Sequence, residues 1–394
     1  MRPPTITESQ DLKELCGRLQ SSEFIGFDTE FVSEDTFYPE LCLIQVATAD
    51  EMAVIDAIAI QEVEPFWNVL ADGDHVTILH AGREELNFML RSVGELPKKL
   101  FDVQLAAGFC SNEYPSAYGS VVNKFLGHQP AKGEQRTDWR QRPLTNAQIK
   151  YALEDVRHLL PLYERLLQNL QEQKRQSWFD EEMDNWQNEV VEASTRKDWR
   201  RVSGIGKLGS QGLAIVRELW HWRYEEAKER NRPQRRILRD DLIVEMAKRK
   251  VDSPQRVMAI RGMERGGLKR KADELAECVR RGLESPVEKD ASRNRKHVPP
   301  QLNLLAQFLA PALGSVCRRA TVAASLAGTA SDVRELVSYH LEKNRGEQEE
   351  LPALARGWRA ELVGRLIEDL MDGKKSIRIT NATHADPLAF DDIP

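Results

Sequence analysis

The stretch GFDTEFVSEDTFYPELCLIQVA, residues 26–47, places two carboxylates, Asp28 and Glu30, at the end of an apolar run. Strand side chains alternate between faces, so residues 28 and 30 share a side, a few ångströms apart. Strands disfavour Asp, and the apolar neighbours in FIGFDTEF argue for a buried setting. Two like charges held there need a counter-charge, and a divalent cation supplies it with the fewest groups. A lone D-x-E carries little weight, so partners elsewhere in the chain must decide.

Outward from that strand, LCLIQVAT and EMAVIDA give two more strand candidates in close succession. EVEPFWNVL has helical spacing, and VTILHA reads as a strand leading into the helix REELNFMLRSV. Before them, TESQDLKELCGRLQ is a helix, with Thr7 and Gln10 at capping-box spacing. Consecutive strands followed by strands alternating with helices predict a mixed α/β sheet. From residue 102 the pattern turns helical. A polar loop at 132–145 ends at Thr145, a predicted N-cap for NAQIKYALEDVRHLLPLYERLLQNL, which Pro161 should kink or break.

At 394 residues the chain is expected to form two or three domains. The Gly/Ser-rich segment 203–212 is a hinge candidate, 209–285 a helical block, 285–300 a linker and 300–372 a second helical block. The tail 373–394 lacks a sustained period and is expected to be disordered. The net charge of −6 hides an asymmetry. The first hundred residues are acidic by roughly a dozen charges, and residues 201–300 are basic by about ten. That division suits a metal-dependent catalytic part joined to a polyanion-holding module. Five scattered cysteines offer neither a disulfide framework nor a zinc pattern. With no signal peptide or membrane-length apolar run, the expected location is the cytoplasm, with no membrane association and no obligate protein partner indicated.

Three further positions extend the acidic set. Glu85 lies just inside the helix after VTILHA, although Glu84 and Glu85 would also be favoured there by the helix dipole alone. Tyr151 and Asp155, four residues apart, share one helical face. The ordered set FDTEF, HAGREEL and Tyr151-x3-Asp155 resembles the DEDD 3′–5′ exonucleases with a tyrosine in the last motif. The intervening DTEFVSEDTFYPELCLIQVA, LHAGREEL, LFDVQLAAGF and RTDWRQRPLT…YALEDV narrow the resemblance to the ribonuclease D family, over most of residues 1–170. Residues 219–247 resemble an HRDC domain, a small helical nucleic-acid-binding module, and 300–372 the family's second, more divergent HRDC-like domain.

The resemblance implies a ribonuclease H-like mixed-sheet exonuclease domain over 1–195, followed by two small all-α HRDC-like domains at 209–285 and 300–372. It implies two divalent ions, Mg²⁺ or Mn²⁺, held by Asp28, Glu30, Glu85 and Asp155, with Asp28 bridging. The Tyr151 hydroxyl would orient the attacking water, and 5′-mononucleotides would leave one at a time from an RNA 3′ end, with tRNA precursors as the implied substrate. One position departs from the family pattern: Glu85 stands where aspartate is usual, a change that bears on metal affinity and rate more than on reaction type.

Arg136, Trp139, Arg140 and Arg142 are candidate RNA contacts beside the Tyr151 helix; the alternative has Trp139 anchoring the loop in the core with the arginines solvated. His80 is expected to be structural. In the basic block, Arg217, Arg223, Lys228, Arg230, Arg232, Arg235, Arg236 and Arg239 are candidate phosphate contacts, with Arg223, Arg232, Arg235 and Arg236 the principal ones. Trp220, Trp222 and Tyr224 are expected to anchor the helix that carries them. Two rival functions stay open: a DNA 3′–5′ exonuclease, separable by relative rates on matched RNA and DNA, and an RNA-binding protein with an inactive nuclease domain.

Overall fold

The apolar strands of the first hundred residues gather into one sheet, seen in a computed structural model describing residues 5–130, 137–195, 198–263, 266–285, 300–343 and 351–394. The strands are β1 (Thr5–Ile6), β2 (Phe24–Val32), β3 (Glu40–Ala47), β4 (Met52–Asp56), β5 (Val76–Leu79) and β6 (Leu100–Asp102). Their spatial order is β1-β4-β3-β2-β5-β6. β2, β3 and β4 form an antiparallel meander, whereas β1 pairs parallel to β4, β5 to β2 and β6 to β5. The expected mixed sheet is therefore present, with β2 central.

One face of the sheet is covered by α1 (Ser9–Leu19), α2 (Ala57–Ile60), α3 (Glu64–Asp72) and α4 (Arg83–Ser92), which enclose Ile25 and Phe27 of β2 with Phe66 and Trp67. The predicted Thr7 cap is not made: α1 starts at Ser9 behind Glu8, with no side-chain cap bond, because Thr7 follows directly on β1. The other face carries α5 (Val103–Phe109), α6 (Tyr118–Leu126), α7 (Asn146–Arg157) and α8 (Leu159–Glu172), with α9 (Gln176–Thr195) behind. Gly26 permits the close approach of α8: a Cβ there would stand 3.1 Å from the Leu159 side chain. The predicted break between α7 and α8 falls at His158, three residues before Pro161, because proline is tolerated in the first turn of the new helix.

The middle domain has its own core, built from α10 (Ser210–Glu229), α11 (Gln234–Ile237), α12 (Asp240–Arg249), α13 (Pro254–Met258) and α14 (Ala272–Glu284). The loop after β2 meets it: Phe37 N–H donates to Asn231 Oδ1 at 3.1 Å, and the Phe37 ring lies 5.2 Å from Tyr224. The segment 203–212 forms a left-handed turn at Gly204 and a short 3₁₀ turn before α10. Most of the expected linker, residues 286–299, lies outside the described residues.

The last helices, α15 (Gln301–Ala320), α16 (Ala324–Ala327), α17 (Ala330–Lys343), α18 (Gly357–Arg359) and α19 (Arg365–Met371), share a continuous core with α5, α8 and α9. Trp358 packs 4.9 Å from Phe109, while Arg359 binds Glu182 through two bonds of 2.7 Å. The tail is not structureless. Strands β7 (Lys375–Ile379) and β8 (Leu388–Asp392) form a hairpin, and Asp386 between them accepts from Ser315 Oγ of α15 at 2.5 Å and pairs with Arg319. Those contacts span about 70 residues, so local periodicity carries no trace of them. Among the described residues no helix is long and apolar enough to cross a membrane, and the five cysteines are buried free thiols.

Candidate active site

Asp28 and Glu30 leave β2 on the face toward α7 and α8, as period-two spacing requires. In the β2–β3 register they oppose Gln45 and Leu43, and a bulge follows Glu30. Asp155 and Tyr151 descend from α7, whose start is fixed by the predicted cap: Gln148 N–H donates to Thr145 Oγ1 at 3.2 Å, and Gln148 Oε1 accepts from Thr145 N–H at 2.9 Å. Tyr151 and Asp155 stand one turn apart on α7, near enough for the Tyr151 hydroxyl to favour the ionised Asp155 carboxylate.

Glu85 arrives from the first turn of α4 and is buried. Gly82 at the start of that helix donates its N–H to Asp102 Oδ2 at 3.2 Å, and any Cβ at 82 would collide with Leu79 at 2.5 Å. Glu85 Oε1 accepts from Thr29 Oγ1 at 2.6 Å. Thr29 points to the opposite side of β2 from Asp28 and Glu30, so the strand grips its acidic neighbour from α4 with the residue between its own two acids.

Burial raises the pKa of all four carboxylates, and the other acids of the group add to it at Asp28 and Glu30. Asp28 is held well above the ordinary carboxylate range, first by burial and then by the charges of Glu85, Asp155 and Glu30. Burial, then Asp155 and Glu85, pushes Glu30 up to about 8. Burial lifts Glu85 to about 7 against the Thr29 bond, and Asp155 to about 6 against the nearby Tyr151 hydroxyl. Burial and the nearby carboxylates push the Tyr151 phenol above its ordinary value.

No Lys or Arg among the described residues pairs with any of the four; the basic residues nearby are committed elsewhere, Arg142 to Asp56 and Arg157 to Glu154. Opposite Asp28, the Gln45 amide is fully buried, with neither its oxygen nor its nitrogen hydrogen-bonded. Among the described residues no group of three or more His, Cys, Asp or Glu side chains stands as a preformed ion cage. The donor set nevertheless fits Mg²⁺ or Mn²⁺, hard ions that take carboxylate oxygens and keep several waters rather than filling an all-protein cage.

Sequence reasoning missed three supports. Tyr118 OH donates to Glu154 O at 3.3 Å and accepts from His158 N–H at 3.2 Å, straddling Asp155 at the α7–α8 break. Thr29 holds Glu85, and Asp102 ties the start of α4 to α5, where it caps Gln104 and Leu105. Only Asp102 left a local signal, an acid between a strand and a helix in LFDVQ. His80, expected to be structural, has its Nε2 at 3.0 Å from Ser116 O and its ring against Tyr118.

Several expected RNA contacts are instead structural. Trp139 is buried among Cys42, Leu43, Val54 and Leu153. Arg142 spends its guanidinium on Asp56 at 2.6 and 2.7 Å and on the carbonyls of Trp139, Gln141 and Cys42. Arg140 pairs with Asp35 and Glu40, and Arg223 is buried on Asp240 at 2.6 Å. The positive charge that suggested a phosphate partner has found an internal one. Arg232, Arg235 and Arg236 are not buried, and Arg136 lies outside the described residues. Trp220 is buried, and Trp222 and Tyr224 are half-buried, as anchors should be.

Residues 3–171 match the 3′–5′ exonuclease family, and 212–279 match the HRDC domain. Ribonuclease D of Sphingobium indicum is 32% identical over 392 residues, covering 96% of this chain and 97% of that protein. Ribonuclease D of Zymomonas mobilis is 31% identical, covering 95% and 96%. The crystal structure of Escherichia coli RNase D, described as an exoribonuclease involved in structured RNA processing, superposes with a TM-score of 0.78 at 26% identity, covering 95% of this chain and 99% of that one. With relatives matched over nearly the whole of both chains, and with both domain matches, the chain belongs to the ribonuclease D family.

Proposed function

We propose that this protein is a metal-dependent 3′–5′ exoribonuclease that trims the 3′ ends of RNA, tRNA precursors among them, and releases 5′-mononucleotides. The observation that carries the proposal is the group of four unneutralised carboxylates, Asp28, Glu30, Glu85 and Asp155, with Tyr151 one turn from Asp155 on α7. Asp28, Glu30, Glu85 and Asp155 would hold two divalent ions, which when bound activate water and stabilise the leaving oxygen. Because its pKa is raised, Tyr151 keeps its proton at neutral pH, so it orients a water or phosphate oxygen rather than acting as a base. Tyr118 fixes the α7–α8 break and so the height of Asp155 over the strand. The basic middle domain would hold the body of the RNA through phosphate contacts.

The test is incubation of the pure protein with a 3′-extended tRNA and with matched single-stranded RNA and DNA, in Mg²⁺, Mn²⁺ and then EDTA. Stepwise 3′ shortening of RNA that needs metal and is absent in Asp28→Asn is the expected result. Equal or faster shortening of DNA would replace the substrate, and tight RNA binding without shortening in any metal would replace the enzyme with a binding protein.

A further inference from the structure

We propose that the middle domain contains a pocket for a single nucleotide, taking the base in its interior and the adjoining phosphate on its rim. This rests on the reading of that domain as an RNA-holding module and gives it a specific site. A cavity of about 890 Å³ opens between α10, α11, α12 and the start of α14, within the range of about 300–1,000 Å³ that small-ligand sites occupy. Its apolar lining is Trp222, Ile237, Leu242 and Leu268. Trp222 is half-buried and held by its indole N–H to Glu274 Oε2 at 2.9 Å, so one aromatic side chain of the wall is fixed in place. Gly262 and Gly267 also line it; the position of a Cβ at 267 would be 3.7 Å from Arg230 Nη1, so the absent side chain leaves space beside a guanidinium.

The charges are sorted by role. Arg230 and Lys271 are tied to buried Glu226, Arg239 to Asp241 at 2.8 Å and Arg235 to Asp240 at 3.3 Å. Arg232 and Arg236 line the same cavity with no carboxylate partner among the described residues. Apolar side chains, one of them aromatic, around the ion-paired Glu226, with two guanidinium groups lacking a carboxylate partner at the edge, match a base attached to a phosphate, and suit neither a lone phosphate nor an apolar ligand. The site also faces the catalytic domain. Asn231, next to Arg232, accepts from Phe37 N–H at 3.1 Å in the loop between β2 and β3. A nucleotide seated here lies beside the loop that joins β2, the strand of Asp28 and Glu30, to β3.

The nucleotide can come from a strand or from free solution, and the experiment separates the two. Full-length protein in EDTA, with cleavage silent, is titrated with a 5′-labelled single-stranded 12-nucleotide RNA over a salt series. Gly267→Phe fills the cavity without altering charge; it is expected to weaken binding about tenfold, in the range of one lost base–aromatic contact, with the salt slope unchanged. Arg232→Ala with Arg236→Ala is expected to weaken binding and lower the log–log slope by about 0.7, the share of the one single-strand phosphate the two arginines hold.

If Gly267→Phe binds as tightly as wild type while the arginine variant weakens, the cavity is empty and only an open basic track remains, which overturns the pocket but not RNA binding. If neither variant changes binding, both fail. Displacement of the RNA by millimolar 5′-AMP would assign the pocket to nucleotides from either source, and displacement failure with Gly267→Phe still weakened would assign it to a strand. As a check independent of folding in the variants, a 4-thiouridine RNA is crosslinked to wild-type protein. Adducts at Trp222 or Leu268 are expected, and adducts confined to residues outside the cavity would refute the proposal.

Discussion

Replacing Arg142 with methionine separates a structural guanidinium from an RNA contact. Asp56 is 4% exposed in its side chain and Arg142 25%, and the two meet at 2.6 and 2.7 Å. Removing one partner of a buried pair costs about 3–5 kcal/mol, and the partial exposure of Arg142 brings the expectation to about 3 kcal/mol. For a domain of this size that is about 6–12 °C in Tm. Arg142 also ties down the carbonyls of Trp139 and Gln141 ahead of α7, so Tyr151 and Asp155 shift and kcat falls, by up to about a hundredfold for an ångström of misplacement. The Kd for RNA and its salt slope stay unchanged. Adding Asp56→Asn, which preserves the cap on Ile58 and Ala59, removes the abandoned charge and recovers part of the Tm. Calorimetry beside an RNA salt titration reads all of this. A Tm within about 1 °C of wild type, with the salt slope lowered by about 0.7, would refute the structural role and return Arg142 to the phosphate backbone.

Asp28→Asn is expected to abolish cleavage, by more than the roughly 10–100-fold that outlying metal-site groups cost, while raising the Tm of the metal-free protein because a buried repulsion is relieved. The acids of this cluster are shifted above their unfolded values near 4, so the folded chain binds extra protons up to about pH 8 and metal-free stability falls as pH rises across that window; added Mn²⁺ should flatten the slope, and melts in EDTA that rise with pH would contradict it. Thr29→Val keeps the shape but removes the donor to Glu85, which should move the Mn²⁺ concentration for half-maximal cleavage about 10–100-fold; an unchanged requirement would make Thr29 merely structural. Gln45→Met replaces an unbonded buried amide and should raise the Tm by about 2–4 °C, for about 1 kcal/mol; a lower Tm would show that the amide is bonded through water.

Much of the site was legible because it is local. Asp28 and Glu30 share a face through the two-residue repeat of a strand, Tyr151 and Asp155 through one turn of a helix, and the Thr145 cap spans three residues. The mixed sheet followed from the same short-range patterns, as did the helices around it. The burial of Trp139, Arg142 and Arg223 was not legible, because a residue's type fixes its charge or bulk but not what folds against it. Asp56 stands 86 positions from Arg142, Thr29 stands 56 from Glu85, and Tyr118 reaches His158 across 40. Residue order alone specifies which chemical groups exist and which neighbours share a face of a strand or helix. Which charges neutralise one another inside, and which stand without an ion-pair partner among the described residues, as the four carboxylates, Arg232 and Arg236 do, came from the fold, because desolvation and pairing depend on contacts made across the whole chain.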